Sequence, residues 1–152
     1  MADLQSSIVN HNSPIDDGIE WIKHQGQTLA VVIRAQVTPE KTTFITPNEF
    51  LQQAGFVVYP AGGQIAAHTH HPIERHLTGT AETLIVRKGR LNMRLYTQEH
   101  VFVAERILES GDIILLVAGG HGFQVLEDAV LFEIKQGPYT GLVEKERFDD
   151  PG

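Results

Sequence analysis

Gly62-Gly63-Gln64-Ile65-Ala66-Ala67-His68-Thr69-His70, followed after a connection by Glu82-Thr83-Leu84-Ile85-Val86-Arg87-Lys88-Gly89, is the stretch on which the reading of this chain turns. His68 and His70 stand two apart, so on an extended strand both imidazoles point to one face, with Gln64 and Ala66 beside them. Residues 82–87 read as the next strand, β-branched at Thr83, Ile85 and Val86 and ended by Gly89. If Leu84 and Val86 face a core, Glu82 faces it too. Two imidazoles and a carboxylate gathered inside β-structure suit a divalent transition metal, because these are borderline-to-hard donors and the chain has no cysteine. A buried carboxylate needs a partner, and a cation is the least costly one.

Outward from this stretch, strands recur at short, even spacing: Leu91 to Tyr96, Val101 to Leu108, Ile113 to Val117, His121 to Leu126 and Val130 to Lys135. Upstream, Leu29 to Val37, Thr42 to Ile45 and Phe56 to Tyr59 also read as strands. Pro47 to Gln53 reads as a short helix with Thr46 as its N-cap. Many short strands with Gly-rich turns and hardly any helix predict an all-β sandwich or barrel. Residues 1–28 form an N-terminal arm anchored by Trp21 and Ile22, as helix or strand. Residues 29–140 form the barrel, and 141–152 a tail in which Tyr139, just before it, packs and the last residues fray. The connection from His71 to Ala81, carrying Glu74, Arg75 and His76, is long for a hairpin, and long loops are often functional.

Gly111-Asp112 opens an apolar strand that runs into Val117-Ala118-Gly119-Gly120-His121-Gly122-Phe123. A histidine among glycines at the start of a strand can be approached closely, and its alternation partners Phe123 and Val125 are expected to face inward. His121 therefore faces inward with them. His71 and His76 are expected in solvent on the loop, and His11, His24 and His100 on the surface. Arg75 suits an anionic ligand near a metal mouth, or an ion pair with Glu74 or Glu82.

These residues resemble the two motifs of the cupins, small jelly-roll β-barrels. The first motif runs Gly, five residues, His-x-His, three or four residues, Glu, six residues, Gly. Gly62, His68 and His70 match its front half, and Glu82 with Gly89 its back half. The second runs Gly, five residues, Pro-x-Gly, two residues, His; Gly111 matches, Val117 stands at the proline position, and His121 comes one residue early. Counting forward from His70 reaches Glu74 as the motif's glutamate, and counting back from Gly89 reaches Glu82. Glu82 is preferred because a strand face holds a ligand more rigidly than a long loop, with Glu74 as the alternative. The resemblance, closest to small single-domain bacterial cupins of unassigned reaction, implies a double-stranded β-helix barrel. It also implies one divalent metal (Fe, Mn, Ni, Zn or Co) on His68, His70, Glu82 and His121.

Such a site leaves coordination positions open, as a catalytic metal needs. The expected function is a metal-dependent isomerase, lyase or dioxygenase acting on a small organic acid or sugar derivative, with Glu74 and Arg75 as candidate catalytic residues. The alternative is a barrel that binds a small molecule without turnover. A net charge of −7, from 12 Lys+Arg against 19 Asp+Glu, argues against nucleic acid or an anionic membrane as partner. With no leader-like start and no apolar run long enough to span a bilayer, the cytoplasm is the expected location. An apolar edge strand at Val31 to Val37 would need covering, which predicts a homodimer.

Overall fold

The computed structural model describes residues 17–141 and 144–150; the readings made for residues 1–16, His11 among them, lie outside the described residues. The chain divides into two compact units. The smaller contains Thr38–Gly79, and the larger joins Asp17–Val37 to the chain from Thr80 onward. Among the described residues every regular element is a β-strand.

The larger unit is one antiparallel sheet of six strands. Its members are β1 (Ile19–His24), β2 (Gln27–Ile33), β5 (Glu82–Tyr96), β6 (Phe102–Glu109), β7 (Ile113–Leu116) and β8 (Gly120–Lys135). They are ordered β1-β2-β7-β5-β6, with β8 along the other side of β5. Trp21 and Ile22 thus belong to a strand of the sheet. β1 and β2 form a hairpin through Gln25 (φ 48°) and Gly26 (φ 83°), the pair of positive φ values that a two-residue primed turn requires.

β5 organises the sheet. Its first residues pair with β7 and its later ones with β6, while β8 follows it almost from end to end. Two separate strands, divided at Gly89, are expected here, and two more at residues 121–135; each pair is a single long strand instead. The reason lies in the parity of the side chains. Glu82, Leu84 and Val86 are buried at even positions, and Leu91, Met93 and Leu95 at odd ones. A strand can switch parity only by inserting a residue, and the register shifts between Val86 and Leu91 are that insertion. Gly89, at φ 87°, sits inside the bulge rather than at a turn. Bulges bend a ribbon, and the sheet curls into a half-barrel around Ala30, Val32, Leu84, Val86, Leu91, Met93, Leu95, Leu108, Ile114 and Leu116.

β2 ends at Ile33, four residues short of the expected Val37, and is flanked by β1 and β7. It is not an edge, so the surface from which a homodimer is expected is already paired within the chain. Val125, expected to face inward, is 60% exposed at the bulged middle of the ribbon.

In the smaller unit, β3 (Thr43–Phe44) pairs with β4 (Gly55–Phe56). The helix expected over residues 47–53 is a single turn, closed by Phe50 N–H on the Pro47 carbonyl at 3.2 Å. Thr46 does not cap it: its hydroxyl accepts the N–H of Ala54 at 2.8 Å, clamping the two ends of the loop together. Residues 57–81 form no strand. The strand expected through His68 and His70 is therefore absent. Gly62, Gly63, Ala66 and Ala67 offer little apolar surface to bury, and Ile65 is exposed.

Candidate functional site

Glu82, the first residue of β5, lies on the concave side of the half-barrel and is 7% exposed. Sheet register puts it opposite Leu116 on β7 and Lys135 on β8. His121 stands near the start of β8 opposite Leu95, roughly 40 Å from Glu82 along a straight strand. The curl of the sheet closes that separation, and His121 Nε2 lies 3.2 Å from Glu82 Oε2. Burial alone would raise the Glu82 carboxyl. The hydrogen bond from His121 outweighs it and holds the carboxyl below its usual range, helped by the charges of His121, Lys145 and Lys135.

Lys135 is the residue that sequence reasoning missed. Its ammonium lies 3.9 Å from Glu82 Oε1 and 2.7 Å from Glu133. The signal was present in β8, where Leu131, Glu133 and Lys135 continue one parity, so an acid and a base fall on the same side of the strand as the buried carboxylate across from them. Around the Glu82–His121 pair is a pocket of about 950 Å³, lined also by Leu84, Phe123, Arg94 and Tyr96. The His121 ring meets Phe123 edge-on at 5.8 Å, so one wall is aromatic.

His68 and His70 belong to the smaller unit and are exposed. Their rings adjoin, with centroids 5.1 Å apart at 72°, and His68 Nδ1 lies 2.9 Å from the Ala66 carbonyl oxygen. Glu74 and Arg75 are exposed on the following loop, where Glu74 lies 3.9 Å from His76. His100, expected on the surface, is half-buried against Phe148. Tyr139, expected to pack, is 65% exposed with Lys135 and Lys145 over its ring.

The donor chemistry can be tested against a metal. Two ligands bonded at about 2.1 Å and at right angles stand about 3 Å apart. The 3.2 Å between Glu82 Oε2 and His121 Nε2 fits that spacing. Among the described residues no group of three or more His, Cys, Asp or Glu side chains is drawn together. Glu82 and His121 thus fit as half of a donor set.

What fold and site define is an all-β protein whose curled sheet holds a buried carboxylate, Glu82, against the exposed imidazole of His121. No protein-family model, no curated protein and no solved structure matches the chain. No helix among the described residues is long and apolar enough to cross a membrane.

Proposed function

We propose that the chain is a cupin-type barrel protein whose pocket binds a small organic acid or sugar derivative at a divalent metal held by His68, His70, Glu82 and His121. The observation that carries this reading is the buried Glu82 carboxylate set 3.2 Å from His121 in a pocket large enough for a small metabolite. The four-membered donor set rests on the sequence spacing. A bound transition metal would supply Lewis acidity, or an oxygen-reactive centre, to an isomerase, lyase or dioxygenase. The chain's own groups hold and orient: Glu82 fixes the His121 ring through Nε2, and Phe123 offers an apolar wall. The test is elemental analysis of untagged protein, with His68→Ala, Glu82→Ala and His121→Ala beside it. One equivalent of metal in the parent, lost in all three variants, supports the reading. Metal retained by Glu82→Ala transfers the ligand role to Glu74. No metal after reconstitution refutes the metal-dependent reading.

A second reading has its own observation. Lys135 already supplies Glu82 with a cation, so the pocket can hold its charge balance as a metal-free binding module. Under that reading the protein binds a small organic acid or sugar without turnover, and ligand-induced shifts in melting temperature survive exhaustive chelation.

A further inference from the structure

β8 is the long strand that the sheet leaves open. It follows β5 along one side, and among the described residues no strand pairs with its other side. The free N–H and C=O groups of an edge are a template for another strand, so edges are usually kept short or guarded by charge or proline. β8 is 16 residues long and has no proline. From Val130 to Lys135 its side chains alternate between faces. Leu131 packs against the core of the half-barrel, and Glu133 and Lys135 share its parity. Val130, Phe132 and Ile134 project from the other face and are 53, 56 and 47% exposed. No charge interrupts that row. Val125 and Leu126, beyond the bulge, are exposed as well. Together these side chains leave on the order of several hundred Å² of apolar surface beside an unpaired edge, the upper range for a chain that stays alone.

The pattern of the edge fits its own copy. A two-fold axis normal to the sheet sets two copies of a strand antiparallel and keeps equivalent faces together, so residues of like parity stand opposite one another. With Phe132 on the axis, it faces Phe132 of the second copy, and Val130 faces Ile134. The apolar rows of the two copies then merge into one. On the inner face Leu131 stands opposite Glu133, so no like charges meet. Moving the axis to Glu133 would oppose two carboxylates, and moving it to Leu131 would set Ile134 against Asp128. The straight segment 130–135 carries one acid and one base, so the net charge of −7 on each chain is not concentrated at the contact.

We infer that β8 is a homodimer interface, joined antiparallel to β8 of a second copy about a two-fold axis at Phe132, which makes the two curled sheets continuous. This places the dimer contact on the open edge of the sheet instead of on the interior strand β2, and it stands whether or not a metal is bound. The apolar row is small beside the roughly 800 Å² per partner of a standard interface, so the dimer belongs at micromolar rather than nanomolar chain concentration.

The experiment is sedimentation velocity on the full chain from about 1 to 100 µM, where a species of twice the chain mass should grow in. Phe132→Glu, which sets two carboxylates across the axis, and Ile134→Lys should each raise the dissociation constant at least about tenfold. Tyr59→Glu, at an exposed position of the smaller unit, should leave it unchanged. The chain has no cysteine, so a single introduced thiol reads the register. Opposed residues of an antiparallel pair have Cα atoms about 4.5–5.5 Å apart, within reach of a disulfide. Mild oxidation should therefore cross-link Phe132→Cys to a dimer at least about tenfold faster than Val130→Cys or Ile134→Cys, whose own equivalents stand about 13 Å away. A parent that is monomeric throughout the range overturns the inference. So does a dimer that both Phe132→Glu and Ile134→Lys leave intact, or a thiol that cross-links equally fast at all three positions.

Discussion

Asp112 is 3% exposed, and its carboxylate accepts three hydrogen bonds. Its Oδ1 accepts the N–H of Ala35 at 3.0 Å; its Oδ2 accepts the N–H of Glu109 at 3.0 Å and Arg34 Nη1 at 2.9 Å. One carboxylate therefore ties the end of β2, the end of β6 and the start of β7. Asp112→Ala leaves two backbone donors without an acceptor, at about 1 kcal/mol each for partly buried groups. It also removes a charge-assisted bond worth about 1.5 kcal/mol, at the low end because Arg34 keeps the Ile107 carbonyl at 2.8 Å. The sum is about 3.5 kcal/mol, and at about 2–4 °C per kcal/mol for a chain of this size the melting temperature should fall by about 7–14 °C. Thermal unfolding followed by circular dichroism reads this directly. Asp112→Asn should fall between parent and Ala, since its amide keeps one acceptor but turns a donor toward Glu109 and Arg34. A drop below about 3 °C for Asp112→Ala would refute the claim that this carboxylate locks the three strands together.

Gly89→Ala places a Cβ 2.3 Å from the Asp128 carbonyl oxygen at φ 87°, so the bulge must give way; a loss of more than about 2 kcal/mol in denaturant unfolding is expected, and a neutral result would mean that the bulge relaxes freely. Glu82 is held below its ordinary pKa of 4.5, so the stability it contributes is complete above that value and lost as pH falls through the lower folded one. In chelator, the urea midpoint of the parent should fall more steeply below pH 4.5 than that of Glu82→Gln, and parallel curves would contradict the His121 hydrogen bond. Burial first, and hydrogen bonding to Asp150 second, push the Tyr96 phenol above its ordinary value of 10.0. Its stabilising contribution is therefore full below that pH and lost as pH rises through the folded value. Ultraviolet titration against Tyr96→Phe should place its ionisation lower in Asp150→Asn than in the parent, and no shift would dissociate Asp150 from the ring.

The strands of the larger unit were legible because alternation is a local signal, and burial of Glu82 followed from its parity with Leu84 and Val86. Where the reading divided β5 it mistook a parity switch for a turn. A hairpin at Gly89 and a bulge at Gly89 differ only in what the flanking residues pair with, and that partner, β8, lies far along the chain. The interior position of β2 could have been read. Leu29, Ala30, Val31, Val32 and Ile33 are apolar without alternation, as a strand buried on both faces requires, and all five are buried. The spacing of His68 and His70 fixes a shared face only if the segment is paired, and nothing local in Ala66-Ala67-His68-Thr69-His70 specifies a partner. The packing of Phe148 was hidden for a similar reason: a lone Phe148 among charges carries no periodicity, and its neighbours Tyr96, His100 and Gly120 lie on other elements.

Burial of the Glu82 carboxylate calls for a positive partner, and Lys135 stands near it as one. Lys135 is shared: it lies 2.7 Å from Glu133 and only 3.9 Å from Glu82. Coulomb attraction scales with charge over distance, so a divalent ion at about 2.1 Å would attract Glu82 roughly four times as strongly as Lys135 does at 3.9 Å, before desolvation of the ion is counted. Were a metal to bind, Lys135 could swing wholly to Glu133 without leaving a charge unpaired. Glu82 is thus held ionised and oriented by His121 on one oxygen, while its other oxygen faces a partner that can be displaced at little cost. Under the proposed function, that loosely held partner is what would let Glu82 accept and release a ligand.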